Sequence, residues 1–177
     1  MQARIAATQL ADVEFVAHVH AIARRVRHPL ILWDNYPVND LSMSDELHIG
    51  PLRGRDALLP QVVYGYLNNP LLQEELGFLP LATCLDFARQ PSAYHPEASW
   101  SRAVKQCFGA AALAQWQTIR EFCESSQRTK RSKGPARRTS IERARLRAVL
   151  RYLAQHRKEK WGIELKVWRK LIQKALG

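Results

Sequence analysis

Apolar residues recur at helical spacing between residues 8 and 27, at Leu10, Val13, Val16, Ala17 and Ile22, which predicts an amphipathic helix. Arg24, Arg25 and Arg27 suit the negative end of its dipole, and His28-Pro29 stops it. Leu30-Ile31-Leu32-Trp33 is a short unbroken apolar run, the pattern of a strand buried on both faces in a parallel sheet. A helix, a short connection and a buried strand make half of a repeating α/β unit. From Asp34 to Glu46 the chain is polar and rich in turn formers. Residues 56–63 read as helix, Val63–Leu67 as a second buried strand ending at Asn68-Asn69-Pro70, and 71–90 as helix with Leu76, Leu79, Leu81, Leu85 and Phe87 inward.

After Pro91 and Pro96 the pattern is helical only. Trp100, Val104, Phe108, Leu113, Trp116, Ile119 and Phe122 mark a helical stretch over 98–124. Residues 125–138 are mostly Ser, Gln, Lys and Arg and predict a flexible basic linker. Thr139 with Glu142 forms a capping-box signature. It opens a helix with an apolar stripe of Leu146, Val149, Leu150 and Leu153. Gly162 is expected to interrupt, and Val167, Trp168, Leu171, Ile172 and Ala175 form another stripe. The expected fold class is therefore a mostly helical α/β chain, with no internal repeat.

Charge divides the chain. The net charge is +11 over 177 residues, but residues 1–119 carry 9 Lys/Arg and 11 Asp/Glu, whereas 120–177 carry 18 and 5. The basic character belongs to the last third. Cys84, Cys107 and Cys123 are odd in number and widely spaced, so free thiols are expected. No histidine has a partner at metal-ligand spacing; His48, His18 and His20 are read as structural or surface residues, and no cofactor is implied. No secretory pattern or membrane-spanning run is present, so the chain as given is expected in the cytoplasm. A signal upstream in a longer protein would change that.

The segment richest in chemistry is Trp33-Asp34-Asn35-Tyr36-Pro37-Val38-Asn39-Asp40. It follows a predicted buried strand, and ligands in α/β folds bind at the C-terminal ends of strands. Carboxylates and amides pair with sugar hydroxyls, and a tryptophan face packs on a pyranose ring. The same residues also serve simply as turn formers.

The segment resembles the signature of glycoside hydrolase family 84, the retaining β-N-acetylglucosaminidases that include O-GlcNAc hydrolases and hyaluronidase-type enzymes. Further blocks fit in order: Leu47–Pro51, Gly54-Arg55, Gly65–Pro70, the Leu79–Phe87 helix, and Pro91, Tyr94, Pro96 and Trp100. The likeness runs from about residue 4 to about residue 108. It implies a (β/α)8 TIM barrel, with the Trp33 strand seventh and the Tyr64–Leu67 strand eighth. It also implies that Asp40 binds two sugar hydroxyls, that Asn35 and Asn69 belong to the same pocket, and that Trp33 lines it near the acetamido group. The implied ligand is an N-acetylglucosamine-containing glycan or glycoprotein. The implied chemistry is substrate-assisted: the sugar's acetamido oxygen attacks the anomeric carbon, served by two consecutive aspartates.

No Asp-Asp pair exists in this chain, and no catalytic residue is assigned. Asp34 and the adjacent Asp45-Glu46 do not match the pair's position; the latter two read as solvated turn residues. The expected organisation is the last two βα units of a barrel over residues 1–95, a post-barrel helical segment over 96–124, the linker over 125–138, and a basic helical hairpin over 139–177. A barrel takes roughly 250 residues, and two strands cannot close one. The chain is read as a fragment of a longer protein, ahead of one half of a split enzyme completed by the missing N-terminal barrel part, or a stand-alone remnant. An alternative role rests on the tail. Arg128, Lys130, Arg131, Lys133, Arg137 and Arg138, then Arg143, Arg145, Arg147 and Arg151, with Trp161 and Trp168, could serve nucleic acid or a protein partner. The absence of a recognised motif argues against nucleic acid.

Overall fold

Residues 12–43, 46–131 and 139–176 are described in the computed structural model of the chain. Helix α1 (Asp12–Val26) carries Arg24 and Arg25 in its last turn, as its dipole favours. Strand β1 (Ile31–Asp34) follows. After a crossover that includes the short helix α2 (Leu59–Val62), β2 (Gly65–Asn68) pairs with it in parallel, Ile31 beside Gly65 and Asp34 beside Asn68. The second strand thus begins two residues later than the apolar run suggested and takes in Asn68.

Leu32 and Asp34 are buried, whereas Ile31 and Trp33 are exposed. The expectation of burial on both faces therefore holds for one face only. Leu32 packs with Leu52, Leu59, Cys84 and Phe87, the last two on helix α3 (Glu74–Arg89). Ile31, Trp33 and Leu67 on the opposite face of this two-stranded sheet are all exposed.

Helix α3 buries Leu76, Leu79, Thr83, Cys84 and Phe87 as its period requires, but Leu85 faces outward. It packs on α4 (Pro96–Phe108), where Pro96 stands at the first helical position. A proline is tolerated there because the first-turn N–H has no intrahelical partner. Asp86 fastens the two helices, accepting from Ser99 Oγ (2.6 Å) and Arg102 (2.8 Å); these bonds hold its carboxyl below the usual range. Gly109, at φ 85°, ends α4, so the stretch expected as one helix is two. The second, α5 (Leu113–Arg131), runs seven residues into the expected linker. Trp116, Ile119 and Phe122 are buried on this helix, and that packing holds its earlier turns. The rest of the expected linker, 132–138, lies outside the described residues.

The tail folds back. Helix α6 (Ser140–Gln155) opens with the complete capping box: Thr139 and Glu142 bond each other's backbone N–H. Two further helices, α7 (Lys160–Glu164) and α8 (Lys166–Leu176), replace the second arm of the expected hairpin. Gly162 does not interrupt; it lies within α7. A Cβ there would stand 2.1 Å from the His156 carbonyl oxygen, so glycine permits the close approach of two backbone segments.

Trp161 and Trp168, counted in the sequence as aromatics of a binding tail, are buried at 8% and 2% exposure. Trp161 lies against Phe108 of α4, Trp116 of α5 and Tyr152 of α6, with ring centroids 5.2, 5.4 and 5.7 Å away. One continuous core cluster thus runs from Leu47 through Trp100 and Trp116 to Ile172. Val167 and Leu171 are exposed, so the buried stripe of α8 is Trp168 and Ile172, extended toward α7 by Leu165. Trp161→Ala should lower stability by about 3–5 kcal/mol. It should do so as a shift of a single urea transition followed by far-UV circular dichroism; two separated transitions would mean that the tail folds independently.

Candidate functional site

The C-terminal ends of β1 and β2 meet at a buried carboxylate. Asp34 is 1% exposed. Arg55 approaches it in a two-pronged geometry, Nε to Oδ2 at 2.6 Å and Nη2 to Oδ1 at 2.7 Å, and Tyr66 from β2 donates its hydroxyl to Oδ2. Such paired N–H···O bonds are the strong form of a charge-assisted contact. Burial opposes the Arg55 charge, but the hydrogen bond and field of Asp34 outweigh it and hold the guanidinium above its ordinary value. Burial first, then the Asp34 charge, pushes the Tyr66 hydroxyl upward. Burial pushes the Cys84 thiol up to about 12. These groups stay Arg⁺, neutral phenol and thiol at neutral pH. Both oxygens of the Asp34 carboxyl are thus taken up within the fold by Arg55 and Tyr66.

From this anchor the sugar-compatible residues project. Asn69 N–H donates to the Asp34 carbonyl at 2.9 Å, setting the residue after β2 against the end of β1. Trp33 Nε1 donates to Asn35 Oδ1 at 2.9 Å, and Asn69 Nδ2 reaches the same oxygen at 3.4 Å. Trp33, 46% exposed, and Asn35 lie at the surface; Asn69 is half-buried. Three of the four predicted residues are thus brought together. No hydrogen bond among the described residues joins the half-buried Asp40 to them.

The Asp40 loop is nevertheless fixed. Asn39, fully buried, donates from Nδ2 to the Glu46 carbonyl (2.9 Å) and to Gln73 Oε1 (2.7 Å), and accepts from Leu72 N–H (2.9 Å). It ties the loop after β1 to the loop after β2. His48 Nδ1 bonds the Val38 carbonyl (2.9 Å) and Nε2 lies 3.1 Å from Glu46 Oε2. Through these two bonds His48 clasps the loop between Val38 and Glu46. The Asp40 carbonyl accepts from Met43 N–H at 2.9 Å, opening a one-turn helix over Leu41–Met43. Asp45, expected as a solvated turn residue, lies outside the described residues; Glu46 is half-buried against His48.

The downstream blocks resolve into a clamp. The irregular segment Ile49–Leu52 is held through its backbone: Trp100 Nε1 donates to the Ile49 carbonyl (2.6 Å), Tyr36 Oη to Gly50 (2.6 Å) and Tyr94 Oη to Leu52 (2.8 Å), while Leu52 N–H donates to Thr83 Oγ1 (2.9 Å). A cleft of about 220 Å³ opens beside it, lined by Tyr36, His48, Arg53 and Arg55 among others. Arg53 and Arg120 both pair with Glu97, knitting this segment to α4 and α5. Asp34, Arg55 and Tyr66 were not marked by sequence as a unit, although Gly54-Arg55 and Gly65-Tyr66 stood among the matched blocks.

Residues 9–124 match the family model of the beta-N-acetylglucosaminidases, "NAGidase". This chain belongs to that family, glycoside hydrolase family 84. A solved structure of a Thermobaculum terrenum O-GlcNAc hydrolase, an aspartate-to-asparagine mutant, is similar at a TM-score of 0.69 and 26% identity. The match covers 91% of this chain and 40% of the other. The structure of CpGH84B shares the fold at a TM-score of 0.60 and 18% identity, covering 91% and 32%. This chain therefore spans well under half the length of either. No described helix is long and apolar enough to cross a membrane, and no cluster of metal-binding side chains occurs among the described residues.

Replacing Arg55 by Ala would leave Asp34 buried and unpaired. The loss of stability should be about 3–5 kcal/mol, read from the urea midpoint; a cost below about 1 kcal/mol would mean that the Arg55 contact does not hold the strand ends together.

Proposed function

We propose that this chain provides the sugar-holding part of a retaining, substrate-assisted β-N-acetylglucosaminidase. Its two parallel strands would be the last two of the (β/α)8 barrel. The observation that carries the reading is the hydrogen-bonded trio Trp33, Asn35 and Asn69 at the C-terminal ends of adjacent parallel strands, the end at which barrel enzymes bind their ligands. Asn35 and Asn69 offer both donors and acceptors, and the exposed indole of Trp33 offers an apolar face. Asp40, ionised, accepts from neighbouring hydroxyls, and the Asn39 and His48 clasps support the loop that carries it.

The acetamido-directed step needs two consecutive aspartates, and this sequence contains no such pair. Chemistry would come from a preceding barrel portion, in the same longer protein or in a separate polypeptide. The uncovered sheet face around Ile31 and Leu67 is where that portion would pack, leaving Trp33 to the ligand, since parallel strands are normally covered on both faces.

The purified chain should not turn over an aryl N-acetylglucosaminide; turnover above background would refute the assignment of chemistry to a missing portion. In a separate measurement, titration with N-acetylglucosamine should shift the NMR signals of the Trp33 indole N–H and the Asn35 and Asn69 side-chain amides. Asp40→Ala should weaken that binding by about 1.5–3 kcal/mol, the worth of a hydrogen bond to a charged group. Shifts scattered elsewhere, or an unchanged affinity in the variant, would sink the pocket.

A further inference from the structure

The tail's cations are arranged, not merely abundant. Between Thr139 and Leu176 stand eleven Lys/Arg and three acidic residues, Glu142, Glu159 and Glu164. Each acid has a structural task. Glu142 completes the capping box of α6. Glu159 accepts from Trp161 Nε1 (2.5 Å) and pairs with His156 (2.6 Å). Glu164 accepts from the backbone N–H groups of Glu75 and Leu76, both at 3.0 Å, and so caps α3 from a distance. Little acidic charge remains to neutralise the outer surface.

On α6 the buried side is Leu146, Val149 and Leu153. Arg143, Arg147 and Arg151 are exposed and four residues apart, so they form a single row with steps of about 6 Å along the axis. Arg145 lies off the row and pairs with Glu121 of α5. On α8, which packs on α6, the exposed lysines Lys166, Lys170 and Lys174 repeat the same spacing. None of these six has an ion-pair partner among the described residues.

We propose that these two rows on α6 and α8 bind the phosphate backbone of nucleic acid without reading its sequence. A row of guanidinium groups at regular steps can meet successive phosphates, and arginine engages phosphate with two parallel N–H bonds. A membrane surface fits less well. Insertion needs a continuous apolar face, and that face of α6 is buried in the core. Outside the core, α6 exposes one large apolar residue, Ile141 in its first turn, and α8 exposes Val167 and Leu171. A protein partner would need aromatic anchors beside the charges, and the exposed sides of α6 and α8 carry none. A recognised motif serves sequence readout; binding to the phosphate backbone requires none.

The full chain should bind a fluorescein-labelled 20-base-pair duplex at low salt, measured by anisotropy, with affinity falling steeply as salt rises. Arg143→Ala/Arg147→Ala/Arg151→Ala should bind at least tenfold more weakly and reduce the slope of log K against log salt by about 2–3, at roughly 0.9 for each phosphate no longer neutralised. Lys166→Ala/Lys170→Ala/Lys174→Ala should act in the same direction. These are outward-facing side chains, and circular dichroism of each variant should match the parent. No duplex binding at low salt would overturn the proposal, as would an unchanged slope in the arginine variant. Equal or tighter binding to phosphatidylserine vesicles or to a poly-glutamate peptide would overturn it too, by assigning the rows to another partner.

Discussion

The architecture of the site depends on one buried ion pair. Asp34 stands at the last position of β1, almost without solvent, and a lone carboxylate there would be expelled or neutralised. Arg55 reaches it from the crossover and Tyr66 from β2. The same residue's carbonyl receives Asn69 N–H. A single position thereby joins both strand ends and the connection between them. The polar residues flanking it, Asn35 and Asn69, come within reach of each other because Asp34 has fixed both backbones.

Around that anchor, order passes outward through side chains that bond backbone. Asn39 and His48 hold the Asp40 loop, and Trp100, Tyr36, Tyr94 and Thr83 hold Ile49–Leu52. Irregular segments leave N–H and C=O groups without ladder partners, and buried ones must find partners elsewhere. The Tyr94 and Trp100 that carried part of the family resemblance answer that need. Tyr94 Oη and Trp100 Nε1 donate to the carbonyls of Leu52 and Ile49, at the two ends of that segment.

The tail is part of the same body. Trp161 fills the space between α4, α5 and α6, and Glu164 caps α3, the helix that follows the Asn69 loop. A segment that reads in sequence as a basic appendage thus closes the core on its far side. Its apolar residues turn inward and leave its cations outward, so the same amphipathic folding buries two tryptophans and exposes the positive charge.

Local chemistry made much of this legible without coordinates. The period of Leu76, Leu79 and Phe87, the capping box at Thr139 and Glu142, and the apolar run at Leu30–Trp33 act over a few residues, and the elements formed where they pointed. The Trp33–Asp40 and Asn69-Pro70 blocks marked the loops that carry the candidate pocket. Other features required partners distant in sequence. The pairing of Asp34 with Arg55 and Tyr66 spans 21 and 32 residues, and the cap that Glu164 places on α3 spans 88. The continuation of α5 through a polar stretch depends on the packing of Trp116, Ile119 and Phe122 earlier in the same helix. Sequence alone determined which segments are helical, where α6 is capped and which family signature the chain bears, because those are short-range matters of period, capping and residue type. Tertiary structure decided which carboxylate is buried against Arg55 and which aromatics are core, because burial and ion pairing arise only when distant segments meet.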